Sequence, residues 1–371
     1  MWSPLRGGTG TGMLELRNAA KMVGADYHIY PTDLVLERGS LNVLLGPTLS
    51  GKTSLMRLMA GLDRPTGGSV HFDGADVTGM PVQKRNVAMV YQQFINYPAL
   101  TVYENIASPM RISGKDAATI DREVRKAAEL LRLTPYLDRT PLNLSGGQQQ
   151  RTALARALVK NASLVLMDEP LANLDYKLRE ELRQELPRIF AQSGAIFVYA
   201  TTEPSEALLL GGNTAALNEG RVTQFGPTIE VYRRPSDLTT AKTFADPPLN
   251  FIDLVKSEGN FLHDGAVIFA VPPHLQNVPD GPATIAFHPH HLAPSAQTAD
   301  SARLTARTQI SEITGSESFV HLQYADTRWV MLAHGIHNID PDTDLSVFID
   351  TRHLMAFGAD GRAITTAGQR G

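Results

Sequence analysis

Gly46-Pro47-Thr48-Leu49-Ser50-Gly51-Lys52-Thr53-Ser54 is the stretch on which the reading of this chain turns. It fits Gly-x-x-x-x-Gly-Lys-Thr, the phosphate-cradling P-loop of nucleotide-hydrolysing proteins. The glycines let backbone N–H groups curl around an anion, and a helix that follows points its positive end at the same place. Lys52 then reaches the β- and γ-phosphates, and the Thr53 hydroxyl holds Mg²⁺. Leu41-Asn42-Val43-Leu44-Leu45 reads as a buried strand before the loop, and Ser54 to Ala60 as a helix after it. Strand, loop and helix in this order favour nucleotide binding over a chance Gly-rich turn.

Two further stretches belong with the loop. Leu164-Val165-Leu166-Met167 reads as a buried strand that delivers Asp168 and Glu169 at its end. Asp168 is placed to hold the Mg²⁺ shell, and Glu169 to orient or deprotonate an attacking water. Alone, such a pair is more often a solvated turn; beside a phosphate loop it reads as catalytic. Leu144-Ser145-Gly146-Gly147-Gln148 opens a helix, with Ser145 as N-cap and two glycines keeping the backbone bare. This makes a second anion-binding surface on Ser145, Gly146, Gly147 and Gln148, one that serves a neighbouring chain's nucleotide.

With 371 residues the chain has room for two domains, and 43% hydrophobic against 19% charged residues gives ample core. A net charge of −4 argues against a generally nucleic-acid-binding surface. The absence of cysteine excludes disulfides and thiolate metal sites. No apolar run approaches the roughly 20 residues of a membrane helix, so a membrane role must come through partners. The opening ten residues lack the apolar core of a secretion signal, and residues 1–12 read as a disordered start.

From Met13 the chain is periodic. Leu14 and Leu16 alternate with Glu15 and Arg17, and short strands recur at Ser69–Phe72 and Asn86–Val90. Val124, Ala127, Ala128 and Leu131 share one helical face, with Arg125, Lys126, Glu129 and Arg132 on the other. A helical stretch at Asp175–Phe190 separates strand signals at Ser163–Met167 and Ala195–Tyr199. Such alternation gives an α/β domain over residues 13–240 with a largely parallel sheet and a helical subdomain at about 92–161. After Pro247-Pro248, strands come at close spacing, and residues 241–371 read as a small β-barrel or sandwich.

The ordered set of Gly46–Ser54, Leu144–Gln148 and Asp168-Glu169 resembles the nucleotide-binding subunit of ABC transporters, from about Met13 to the end. The resemblance implies ATP and Mg²⁺ as cofactors. It implies that Gln92 senses Mg²⁺ and the transmembrane subunits, and that Ala172-Asn173-Leu174-Asp175 crosses a dimer interface. It further implies two subunits sandwiching two ATPs, two integral-membrane permeases, an extracytoplasmic solute-binding protein, and a peripheral place on the cytoplasmic face of the inner membrane. Asn96 to Ile106 is similar to the permease-facing segment of carbohydrate importers, and Ala286–Leu292 to a turn of their C-terminal OB-like (TOBE) regulatory domain. For His288, His290 and His291 a structural turn is therefore favoured over a metal site, since no Cys or carboxylate pattern accompanies them.

Two positions depart from the family. Thr202, in Ala200-Thr201-Thr202-Glu203, stands where the family has a histidine on the γ-phosphate, and no histidine occurs between His71 and His263. A threonine donates a hydrogen bond but carries no imidazole charge. Val23 aligns with the aromatic that stacks on adenine, leaving Tyr27 or Tyr30 to substitute through a rearranged loop. The expectation is a site that binds ATP and turns it over poorly, in a heterodimer with a second ATPase. The rival is a homodimer in which Thr202 suffices because Glu169 remains. From another class, a soluble ABC-type ATPase acting on nucleic acid or ribosomes is the alternative. It is disfavoured because neither a long coiled-coil insertion nor a second cassette occurs in the chain.

Overall fold

The computed structural model describes residues 13–172 and 174–364. Residues 1–12 and Asn173, both singled out above, lie outside the described residues. The chain divides into two compact units, one running to Val231 and one beginning at Tyr232.

In the first unit, β1 (Met13–Val23) and β2 (Asp26–Glu37) form an antiparallel hairpin ahead of β3 (Leu41–Leu45) and α1 (Lys52–Ala60). Then come β4 (Gly67–Phe72), β5 (Ala75–Asp76) and β6 (Val87–Val90). The helices α2 (Val102–Ile112), α3 (Ala117–Leu130) and α4 (Gly146–Val159) follow, making the insertion before β7 (Leu164–Asp168). The unit ends with α5 (Tyr176–Ser193), β8 (Ile196–Thr201), α6 (Pro204–Leu210), β9 (Asn213–Asn218) and β10 (Arg221–Pro227). The division between units falls within α7 (Thr228–Arg233).

Two sheets result. A six-stranded sheet in the order β10-β9-β3-β8-β7-β6 is parallel except for β10. A four-stranded antiparallel sheet runs β2-β1-β4-β5. The strand patterns account for the difference. Every residue of β7 and β8 is buried, as parallel strands covered on both faces require, whereas β2 alternates along its second half. Leu14, Leu16 and Leu36 of the antiparallel sheet share one core with Met56 and Met59 of α1 and with Leu44, Leu166 and Val198. The helix after the phosphate loop is thus clamped between two sheets. Strands β1 and β4 of the antiparallel sheet are read from the sequence, but β2 is not, because it is exposed or part-buried over most of residues 26–31 and carries no clean alternation there.

In the helical insertion, Val124, Ala127 and Ala128 are buried on α3 as the spacing predicts. Asn105, fully buried on α2, donates through Nδ2 to the carbonyls of Tyr97, Leu100 and Thr101 at 3.0–3.1 Å and accepts from the Tyr97 N–H at 2.8 Å. One amide therefore fastens the whole Asn96–Thr101 loop to its helix.

The second unit begins with α8 (Leu238–Thr243), β11 (Asn250–Ser257), β12 (Asn260–His263) and β13 (Ala266–Ala270). It continues with β14 (Gly281–Phe287), β15 (Leu292–Ala293), β16 (Ala302–Ile313) and β17 (Glu317–Tyr324). β18 (Thr327–His334), β19 (Asp344–Ile349) and β20 (Met355–Phe357) complete it. Its strands make two antiparallel five-stranded sheets, β13-β12-β11-β14-β20 and β15-β19-β16-β17-β18. Their inner faces share a core that includes Phe261, Ile285, Phe287, Leu322, Trp329 and Val347. Trp329 on β18 meets Phe287 edge-on at 5.2 Å and donates its indole N–H to the Phe251 carbonyl at 3.0 Å. Asn250 exchanges two hydrogen bonds with the backbone of Val330, at 2.7 and 2.8 Å, so the sheets are joined by polar as well as apolar contact.

Candidate nucleotide site

The loop after β3 is shaped before any ligand arrives. Leu49 and Gly51 both take left-handed φ, 67° and 102°, which turns successive N–H groups toward one side. A non-glycine residue in that conformation, with its side chain 94% exposed, is strained, and strain of this kind concentrates at ligand clamps. At Gly46 a Cβ would lie 2.3 Å from the Leu217 carbonyl oxygen, so no larger residue fits under the loop. The loop closes a cavity of about 670 Å³ lined by Thr48 to Ser54 and by Gln92, Asp168, Glu169 and Thr202. Gly46 and Pro47 stand behind it, their carbonyls accepting from Lys52 Nζ at 2.7 and 2.9 Å.

The strand ends converge on this cavity. Thr53 Oγ1 donates to Asp168 Oδ2 at 2.7 Å, joining the first turn of α1 to the end of β7. Gln92 Nε2 donates to Glu169 Oε2 at 3.1 Å. Glu169 itself takes φ 47° and hands its N–H to the Ala200 carbonyl at 3.0 Å, which turns its side chain out of the strand. Burial raises the Asp168 carboxyl above its ordinary range, with the Thr53 hydrogen bond and Lys52 acting the other way. Burial also raises Glu169, against Lys52, with Asp168 and Glu206 adding to the rise. Burial lowers Lys52, and the two carboxylates counter it.

These residues fit a nucleotide with Mg²⁺. The loop supplies inward N–H groups at a helix N-terminus, Lys52 a buried cation, and Thr53 with Asp168 two adjacent hard oxygen donors. Asp168 gives a check on this assignment. Its folded-state pKa is raised, so the neutral carboxyl favours the folded chain at acid pH, and that contribution is lost as pH rises through the folded value. Asp168→Asn removes the buried charge, so without nucleotide its melting temperature at pH 7.5 should exceed that of the parent by about 2–4 °C. The gap should close toward pH 4, and Mg²⁺-dependent stabilisation by ATP should disappear. Calorimetry with and without Mg²⁺ measures both.

Ser145, Gly146, Gly147 and Gln148 do not line this cavity. Ser145 accepts from the Gln148 N–H at 3.4 Å and donates its own N–H to Gln148 Oε1 at 2.9 Å, a reciprocal capping box that holds the start of α4. Ser145 and Gly146 are exposed. Nor does Val23 reach the cavity: it sits 52% exposed at the β1–β2 turn, paired with Asp26. Tyr27 and Tyr30 line the cavity instead, stacked with ring centres 4.6 Å apart, and the Arg221 guanidinium lies 3.4 Å over Tyr30. His28, Glu219 and Gly220 also line it and are not singled out by the sequence. The only local signal for the last two is the Glu219-Gly220 turn between β9 and β10.

A parallel-sheet domain with a phosphate loop, a Thr–Asp pair and a glutamate at the adjoining strand end defines a P-loop ATPase. Residues 30–172 match the family model described as ABC transporter. The chain is 33% identical to the sn-glycerol-3-phosphate import ATP-binding protein of Cupriavidus necator, over 94% of this chain and 97% of that one. It is 34% identical to the trehalose/maltose import ATP-binding protein of Thermococcus litoralis, over 93% and 97%. A solved dimeric post-hydrolysis state of the ATP-binding cassette MJ0796, bound to ADP and Pi, superposes with a TM-score of 0.53 at 28% identity, covering 58% of this chain and 98% of that one. The chain belongs to the ATP-binding subunits of ABC transporters, in the carbohydrate-importer branch. Among the described residues, no helix is long and apolar enough to cross a membrane.

Proposed function

We propose that this chain is the ATP-binding subunit of a sugar or polyol importer and that its own nucleotide site is the slower of an unlike pair. Glycerol 3-phosphate, α-glucosides and trehalose/maltose, the cargoes named for its relatives, define the substrate class. The observation that carries the ATPase reading is the Thr53–Asp168 contact at the mouth of a preformed phosphate loop. Loop N–H groups and Lys52 hold the phosphates, Thr53 and Asp168 hold Mg²⁺ with Gln92 beside them, and Glu169, oriented by Gln92, positions the water. Mg²⁺, when bound, neutralises charge on the phosphates.

Thr202 supports the slower-site reading. It lines the phosphate cavity and offers a hydroxyl where the family supplies imidazole. The partner is a second ABC ATPase whose nucleotide meets Ser145 to Gln148 of this chain. The assembly docks on two permeases fed by an extracytoplasmic solute-binding protein, and the chain lies peripherally on the cytoplasmic face of the inner membrane.

The test is hydrolysis by the purified chain alone and with the companion ATPase and permeases. The chain alone should be slow, and Thr202→His should speed it roughly 10²-fold. Robust hydrolysis by the chain alone, unchanged in Thr202→Ala, would sink the slower-site reading. Co-purification with nucleic acid or ribosomes instead of permeases would favour the soluble alternative.

A further inference from the structure

The second unit holds a cavity of about 1000 Å³, built wholly from residues of that unit and remote in sequence from the phosphate loop. Five imidazoles line it, His274 and a group of four: His288, His290 and His291 from the turn between β14 and β15, and His353 from the turn before β20. The four form a ladder. His288 lies parallel to His290 at 5.3 Å, His290 meets His291 at 4.2 Å, and His291 lies parallel to His353 at 4.3 Å. Tyr232 extends it at 5.2 Å from His288. Another part of the wall is apolar, with Phe269, Val271, Pro273 and Leu354.

A ladder of neutral rings is the plainer explanation, and it leaves two facts over. His291 Nδ1 is buried with no hydrogen-bond partner among the described residues, a costly arrangement for a polar atom beside so large a space. The wall also carries positive groups: Arg233 and Arg234 line it beside Asp300, and Arg352 lines it while paired with Asp350. Asp350 is occupied by Arg352 through bonds of 2.9 and 2.7 Å, which hold its carboxyl at about 2. His274, also on the wall, bonds the Leu354 carbonyl at 3.0 Å. A metal ion does not suit the ladder: parallel rings set their nitrogens side by side rather than toward one point. Among the described residues no group of three or more His, Cys, Asp or Glu is placed to hold one.

We propose that this cavity binds a small organic dianion of the phosphate-monoester type, its charged end among the four histidines and the arginines and its body on the apolar wall. Protons arrive with the ligand. Burial, and then the neighbouring imidazoles, hold His288 at about 4 and His291 at about 3, and burial and His353 lower His290, so with the cavity empty of anion the rings are neutral at pH 7. A dianion reverses the sign of the local field and lets them charge. The affinity should therefore rise as pH falls from 8 to 6. This inference stands apart from the transport reading, which needs only the first unit.

The experiment is NMR of the full chain with ¹³C-labelled histidines, with Mg·ADP saturating the phosphate loop. The probes are phenyl phosphate, inorganic phosphate and malonate. Phenyl phosphate should shift His288, His290, His291 and His353 saturably and raise the His288 and His291 titration midpoints from about 4 and about 3 to above about 6. His321 and His334, elsewhere in the same unit, should not move, and His28, at the phosphate loop, reports separately on the first site. Inorganic phosphate should bind about tenfold more weakly, for want of the apolar body. The double variant His290→Gln, His353→Gln, both at exposed positions, should keep its melting temperature and weaken phenyl phosphate at least about tenfold. Unmoved histidines, undiminished binding by the double variant, tighter binding of malonate than of phenyl phosphate, or organisation of the same rings by Zn²⁺ alone would each overturn the proposal.

Discussion

Ser145→Arg in this chain should cut ATP hydrolysis by the assembled transporter by about 10²-fold or more, the usual cost of removing aligned donors from a site of developing negative charge. On the proposed unlike-pair arrangement, Glu169→Gln in the same chain should change the total rate by less than about twofold, because a base serving only the slower site would carry little of the flux. The asymmetry follows from where the two groups stand. Glu169 lies in the cavity of this chain's own phosphate loop, with Thr202 on the same wall. Ser145 lies outside that cavity, exposed at the start of α4, and its hydroxyl oxygen is already accepting from the Gln148 N–H, so its proton is left to donate to an anion brought by another chain. The first N–H groups of α4 have no intrahelical acceptor and point the same way. Steady-state hydrolysis by the reconstituted complex, with each substitution in one subunit at a time, measures both. Equal losses for the two variants would mean two equivalent sites, and the homodimer reading would stand.

Glu206→Ala should destabilise the first unit by about 2–4 kcal/mol, the cost of leaving two buried hydroxyls without their acceptor and removing one charged hydrogen bond. Glu206 is only 4% exposed, at the first turn of α6. One of its carboxylate oxygens accepts from Thr201 Oγ1 at 2.7 Å and from the Tyr199 hydroxyl at 3.0 Å, and the other from Arg183 at 3.0 Å. Arg183 also reaches Glu203 at 2.7 Å, and the Glu203 N–H donates to Thr201 Oγ1 at 3.0 Å. Truncation would leave the Tyr199 and Thr201 hydroxyls without their acceptor and take from Arg183 one of its three carboxylate partners, Glu180 and Glu203 remaining, and would free the turn on which Thr202 is carried. Glu206→Gln keeps an acceptor for the two hydroxyls and loses only the charge toward Arg183, so about 1–2 kcal/mol is expected. Urea denaturation of the three proteins gives the comparison. Equal midpoints for Glu206→Ala and the parent would show that the cluster does not hold the turn.

Much of the first unit was legible locally because its signals are short-range. The phosphate loop, the buried run ending in Asp168-Glu169 and the Ser145 cap each lie within a few consecutive residues whose spacing has one mechanical meaning. α3 was legible from its face, and β7 and β8 from unbroken apolar runs. Strand β2 of the antiparallel sheet was not: it begins with exposed and part-buried residues, and its place beside β1 rests on pairing rather than on its own pattern. The same strand brings Tyr27 and Tyr30, the substitutes read from the sequence for the aromatic missing at Val23, to the nucleotide cavity, together with His28, which the sequence does not single out.

The sequence by itself determined what kinds of atoms meet a phosphate: glycine N–H groups, Lys52, the Thr53 hydroxyl and two carboxylates, all set by covalent order along strand, loop and helix. Only the tertiary structure decided which distant groups share their space. Thr53 and Asp168 are 115 residues apart and touch because β3 and β7 both flank β8 and end at the same edge of the sheet. The His288–His353 ladder joins turns more than sixty residues apart, because β14 and β20 pair. Loop and helix chemistry is written in neighbours along the chain, whereas a cavity is made where strands from distant segments come together, and no local pattern encodes that closure.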